Sequence, residues 1–150
     1  HGIKTAFTLS DPAMVQFFAD GLKEMIGDKV DLLFCNQDEA MGFTQTDTLN
    51  GAAEALKQYA TEFAITLGDK GALIYDGVSL IKIAANEVTA IDSNGAGDMF
   101  AGAFLYAITN GYSHTQAGEL ASASSAQVVS QYGPRLRAEQ HQKILNTVFA

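Results

Sequence analysis

The run Asp92-Ser93-Asn94-Gly95-Ala96-Gly97-Asp98 sets small residues against the start of a helix and holds a carboxylate at either end. The helix is marked by Ala96, Met99, Phe100, Ala103, Phe104, Ala107 and Ile108, which recur at the three-and-four spacing of a buried face. Its first turn therefore points unpaired N–H groups back at the glycines. The amides of Gly95, Ala96 and Gly97 can cradle an anion there, aided by the helix dipole, and glycine lets a phosphate approach without a clashing Cβ. Asp98 is the odd residue in such a pocket, because a carboxylate repels a phosphate. It makes better sense as a base that takes a proton from an attacking hydroxyl. Phosphoryl transfer is the chemistry this combination suggests. The plain alternative is a tight strand-to-helix turn capped by Asp92 or Ser93, but two carboxylates and three small residues exceed what capping requires.

Two further clusters carry polar chemistry. Asn36-Gln37-Asp38-Glu39 has the spacing of a helix N-cap and a residue three positions on that reaches back to it. Thr66-Leu67-Gly68-Asp69-Lys70-Gly71 reads on its own as a turn that ends a strand and feeds a hairpin.

In combination these motifs resemble a known family. The Asp92–Asp98 run, followed by Met99-Phe100-Ala101-Gly102-Ala103-Phe104-Leu105, closely resembles the second signature of the ribokinase-type (PfkB) carbohydrate kinases, which phosphorylate sugars and nucleosides with ATP. The resemblance implies that Asp98 is the catalytic base and that Gly95, Ala96 and Gly97 form the anion hole. Asn94, at the free position of the motif, looks like the adenosine-kinase side of the family. Asn36 and Glu39 match the family's Asn-x-x-Glu element, implying that they organise Mg²⁺ and phosphate through water. Thr66, Gly68 and Gly71 match its Thr-x-Gly-x-x-Gly nucleotide loop, near the ATP phosphates and ribose. Gln131-Tyr132-Gly133-Pro134 looks like the loop closing the adenine pocket, and Ser122 falls where relatives often have a larger polar adenine contact. A monovalent cation, K⁺, is implied beside the anion hole, at Asp92, the Asn94 carbonyl and the loop near Gly133.

The resemblance covers almost the whole chain but only the C-terminal part of the family's architecture. Nothing resembles its N-terminal signature, its Gly-Gly substrate segment or the small lid sheet. The chain also starts at His1 without a methionine, so the expectation is a piece of a longer kinase: residues 1–150 as one domain, its ATP-binding C-terminal part. A dimer through the lid is not carried over.

Elements able to position these residues are legible in the patterning. The 150 residues, 47% hydrophobic, suffice for one sizeable core. Strand-like and helix-like segments alternate through the first two-thirds, predicting an α/β fold with an open, doubly wound, mostly parallel sheet and helices on both faces. Thr5 to Leu9, Val30 to Cys35 and Phe63 to Leu67 read as strands. Asp11 can cap a helix with Pro12 at its first position and an apolar stripe of Met14, Phe17, Phe18, Leu22, Met25 and Ile26. Leu49, Ala52, Ala53, Leu56 and Tyr59 mark another helix. Asp76-Gly77 signals an antiparallel hairpin between Ala72–Tyr75 and Val78–Ile83. Helices then run from about Gly95 to Asn110, from Thr115 to Gln131, and after Arg137. Motif residues fall at strand ends and helix starts, where open α/β sheets bind ligands.

Composition narrows the function classes. A net charge of −8 argues against nucleic-acid or anionic-membrane partners. No stretch has the length of an apolar membrane span, and no signal-peptide pattern opens the chain. The single cysteine, Cys35, ends an apolar run and reads as a buried core residue, and a cytoplasmic setting fits. His114 and His141 are isolated and make no metal-ligand spacing with it. There is no Gly-x-x-x-x-Gly-Lys run and no Gly-x-Ser-x-Gly, and Phe100 stands where a dinucleotide fingerprint needs its third glycine. Three readings remain: a kinase acting on a primary hydroxyl of an adenosine-like nucleoside or a sugar, a nucleotide-binding module without catalysis, and a subdomain that needs a missing N-terminal half.

Overall fold

The computed structural model describes residues 2–10 and 12–150. The expected cap Asp11, like His1, lies outside the described residues. The element order is β1 (Ala6–Thr8), α1 (Pro12–Ile26), β2 (Val30–Asn36), α2 (Gln37–Thr44), α3 (Leu49–Leu56), β3 (Ala60–Thr66), β4 (Ala72–Tyr75), β5 (Leu80–Ile83), α4 (Ala96–Thr109), α5 (His114–Val129) and α6 (Ala138–Val148), with a 3₁₀ turn at Gly68–Lys70. The strands form a mixed sheet in the order β1-β2-β3-β4-β5. The first three are parallel, with Leu33 opposite Phe7 on one side and Phe63 on the other. The expectation of an α/β fold with a mostly parallel sheet holds.

The chain divides into two compact units, His1–Leu67 with Leu73–Leu80, and Gly68–Ala72 with Ile81–Ala150. In the first, β2 and β3 are buried nearly throughout, as apolar central strands must be. Leu33, Phe43, Ala52, Leu56, Phe63 and Ile65 centre its core. In the second, Phe100, Phe104 and Ala107 of α4 are buried, as are Ala117, Leu120, Ala121 and Val128 of α5. The small side chains of α5 let α4 approach closely, as the Ala- and Ser-rich sequence suggests.

Three expectations change. The stripe on α1 is not buried as a stripe: Val15, Leu22 and Ile26 face the core, while Phe17, Phe18 and Met25 are exposed. Phe18 has non-helical angles (φ −130°, ψ 23°), so a constant 100° step cannot be carried through the helix. Helix α2 had no apolar periodicity to announce it, and only its cap was visible in the sequence. The second strand of the hairpin starts at Leu80 rather than at Val78. Asp76 Oδ1 accepts from the amides of Val78 and Ser79 at 2.9 and 2.7 Å, while the Asp76 amide donates to the Ser79 carbonyl at 3.2 Å and closes the turn. Among the described residues, no helix is long and apolar enough to cross a membrane.

Candidate active site

The second unit builds its site at the start of α4. Gly95 is the N-cap, in the left-handed region at φ 77°, and no side chain caps the helix. This removes the plain reading in which Asp92 or Ser93 caps the turn. The Ala96 amide donates to the Ser93 carbonyl at 3.3 Å. The amides of Gly95, Gly97 and Asp98 have no acceptor among the described residues. Open amides at a helix N-terminus carry the positive end of the helix dipole and suit an anion.

The loop is held from two sides. Asp92 acts as a clamp: its Oδ1 accepts from the Asn94 amide at 3.0 Å and its Oδ2 from the Gly133 amide at 3.2 Å. These two bonds, the one from Asn94 foremost, hold the Asp92 carboxyl below its ordinary range. A Cβ on Gly95 would lie 2.5 Å from Pro134 Cβ, so the Asp92–Asp98 loop and the Gln131–Pro134 loop touch at a glycine that no other residue can replace. From α5, the Ser125 hydroxyl donates to the Ala96 carbonyl at 3.0 Å and fixes the first turn of α4.

Asp98 sits in that first turn, exposed. It lines a cavity of about 590 Å³ together with Met99, Gly102 and Tyr106 of α4, Pro134 and Arg135 of the loop between α5 and α6, and His141 of α6. A carboxylate at the edge of a cavity, beside open amides, has the placement of a base facing a hydroxyl that enters the anion site. Tyr106 gave no signal in the sequence beyond a helical position. His141, isolated in the sequence, lines the same cavity as Asp98 only because α6 folds back.

Ser122 is buried, and its hydroxyl donates to the Ala84 carbonyl at 3.1 Å and accepts from Asn86 Nδ2 at 3.1 Å. It pins the 84–86 segment. Asn86, its partner, had no motif to reveal it. Gly68 (φ 62°) opens the 3₁₀ turn and Gly71 (φ 90°) follows it, and a Cβ on Gly71 would fall 2.0 Å from the Ile83 carbonyl oxygen.

In the first unit, Asn36 and Glu39 form a closed pair. Asn36 Oδ1 accepts from the Glu39 amide at 2.8 Å, and Glu39 Oε2 accepts from the Asn36 amide at 2.9 Å. Asn36 Nδ2 donates to Glu39 Oε1 at 2.9 Å. The capping reading is therefore realised in full, at a Glu39 that is only 5% exposed. Both carboxylate oxygens already accept a bond from Asn36, so this pair suits a hard cation reached through water rather than directly. Thr66 ends β3, its hydroxyl 3.5 Å from the Cys35 carbonyl, at the edge of hydrogen bonding. Cys35 is a core residue, its thiol pushed far up by burial and by the Glu39 charge. Among the described residues, no three His, Cys, Asp or Glu side chains cluster to hold a metal.

Residues 1–141 match the pfkB family of carbohydrate kinases. The chain belongs to that family. It is 34% identical over 110 residues to the ribokinase of Lactococcus lactis subsp. lactis (strain IL1403), a match covering 73% of this chain and 35% of the relative. It is 30% identical over 119 residues to the cytidine kinase of Thermococcus kodakarensis, covering 76% of this chain and 42% of that one. Among solved structures, the adenosine kinase of Sinorhizobium meliloti superposes with a TM-score of 0.91 at 29% identity, covering 98% of this chain and 46% of that chain. This pfkB-family chain thus spans half or less of the length of the relatives it matches.

Proposed function

We propose that this chain is the nucleotide-binding and base-bearing part of an ATP-dependent phosphotransferase whose acceptor is a primary hydroxyl of an adenosine-like nucleoside or a sugar. The observation that carries the reading is the uncapped start of α4, where open amides at Gly95 and Gly97 stand beside the exposed Asp98. Family membership supports it, as do the names of the relatives, which include sugar and nucleoside kinases.

In this mechanism the acceptor oxygen attacks the γ-phosphorus of ATP as its proton passes to the Asp98 carboxylate. The new O–P bond forms, the bond to the bridging oxygen breaks, and ADP leaves with that electron pair. Charge spreads over the phosphoryl oxygens, and the amides of Gly95 and Gly97, with Ala96 beside them, meet it with donors that need no reorganisation. Asn36 and Glu39 would hold Mg²⁺ through water, and the ion when bound supplies neutralisation of phosphate charge. Thr66, Gly68 and Gly71 would line the nucleotide phosphates and ribose, with Ser122 and Gly133 at the adenine. Asp92 and the Asn94 carbonyl would border K⁺. Residues 1–150 act here as one domain of a larger ribokinase-like enzyme, and a cytoplasmic location fits its substrates.

The test is ADP release by the complete protein given MgATP and a panel of adenosine, cytidine, ribose and fructose. Release that depends on one of these acceptors supports the assignment. Nucleotide binding with no acceptor-dependent release would favour a module without catalysis.

A further inference from the structure

The loop from Gln131 to Arg135, which meets Gly95 through Pro134, has no buried side chain to anchor it. Tyr132 is 86% exposed, Pro134 and Arg135 are exposed, and Gln131 is only partly covered. Hydrogen bonds must hold the loop instead. On one side Asp92 takes the Gly133 amide. On the other, two glutamine side chains form a relay. The Arg137 amide donates to Gln140 Oε1 at 2.8 Å, Gln140 Nε2 donates to Gln131 Oε1 at 2.7 Å, and Gln131 Nε2 donates to the Arg135 carbonyl at 3.0 Å. Its polarity is fixed, because turning either amide over sets oxygen against oxygen or N–H against N–H. The bond between the glutamines is partly buried and so stronger than the same bond in water. Only the first bond is an ordinary helix cap, a residue three positions on reaching back to the Arg137 amide. The other two lie outside α6 and serve the loop.

We propose that Gln131 and Gln140 are positioning residues for the start of α4: they fix the Arg135 carbonyl, and with it Pro134 against Gly95, so that the open amides of Gly95 and Gly97 keep their direction. Arg135 lines the cavity beside Asp98, so the same bond also places the backbone of a cation at that cavity. Gln142, two residues beyond Gln140, shows the contrast. Its Nε2 donates along α6 to Asn146 Oδ1 at 2.9 Å and touches no part of the loop. That the amides receive a phosphate rests on the proposed function, whereas the relay's hold on them does not.

The experiment compares this chain with its Gln131→Leu, Gln140→Glu and Gln142→Ala variants by nuclear magnetic resonance of the Gly95 and Gly97 amides and by titration with MgADP. Gln140→Glu decides between capping and positioning. Ionised at pH 7, it keeps an acceptor for the Arg137 amide and has no donor for Gln131. In Gln131→Leu and Gln140→Glu the two glycine resonances should move or broaden, and MgADP affinity should fall about threefold to tenfold, the worth of one neutral hydrogen bond. Gln142→Ala should leave both unchanged. Circular dichroism of each variant separates a displaced loop from lost folding. Native glycine resonances in Gln140→Glu would overturn the proposal, because Gln140 would then only cap α6. So would displaced resonances with undiminished MgADP affinity, since the amides would not need the relay. Displaced resonances in a chain that binds no MgADP at all would uphold the relay and contradict the phosphate reading, so the two fail separately.

Discussion

Gly95 and Pro134 stand so close that a methyl group on the glycine would sit 2.5 Å from the proline Cβ and 2.9 Å from its Cα and carbonyl oxygen. Together with φ 77° at Gly95, this ties the shape of the anion loop to the position of the Gln131–Pro134 loop. Gly133, by contrast, has φ 91° but open space around it. Gly95→Ala should therefore lose about 3 kcal/mol or more, from backbone strain and collision together, and Gly133→Ala about 1–2 kcal/mol from strain alone. Urea denaturation of the two variants checks the order. Equal losses would mean that Pro134 yields freely.

Asp92 should make the fold sensitive to acid. Its folded carboxyl titrates below the ordinary value of 3.8 because the Asn94 and Gly133 amides favour the charged form. A depressed folded value means that its contribution is complete above the unfolded value and is lost as pH falls through the folded one. Asp92→Asn should then be less stable than the native chain at pH 7, and the gap should close below about pH 4. Denaturation of both proteins across pH 2–7 gives the comparison, and a gap that stays constant to pH 2 would remove the carboxylate as its source.

The Asn36 and Glu39 pair offers a separable test of structure. Asn36→Ala should cost about 1 kcal/mol, the usual loss on removing an N-cap. Glu39→Gln should cost a similar amount or more, because one of its two contacts with Asn36 then sets a donor against a donor. Thermal unfolding of the two variants measures this.

Much of the site could be read in the sequence, because the glycines and carboxylates of the Asp92–Asp98 loop are demanded by local backbone geometry. The same holds for the helix that follows, whose Phe100 and Phe104 keep a regular spacing. What escaped reading depends on contacts distant along the chain. His141 and Tyr106 reach the cavity beside Asp98 through the packing of α6 and α4, and Asn86 matters only because Ser122 of α5 lies against it. The α1 stripe misled because the break at Phe18 (φ −130°, ψ 23°) stops a constant helical step from assigning one face through the helix. Helix α2 was missed because capping, not an apolar stripe, specifies it.

Asp98→Asn in the complete enzyme should nearly abolish turnover, by about a hundredfold or more, while nucleotide binding changes little. Steady-state rates and nucleotide affinity, measured on the same preparation, separate the two effects. Unchanged turnover would remove Asp98 as the base.

The most direct measurement is calorimetric titration of MgADP into this 150-residue chain and into its Gly97→Asp variant. Gly97 has helical geometry and open space at its Cβ position, so the substitution should leave the fold intact while placing a negative charge among the open amides. Saturable binding to the native chain, lost in a folded Gly97→Asp, is the expected result. No binding by the folded native chain, or equal binding by both, would contradict a nucleotide phosphate site at the start of α4.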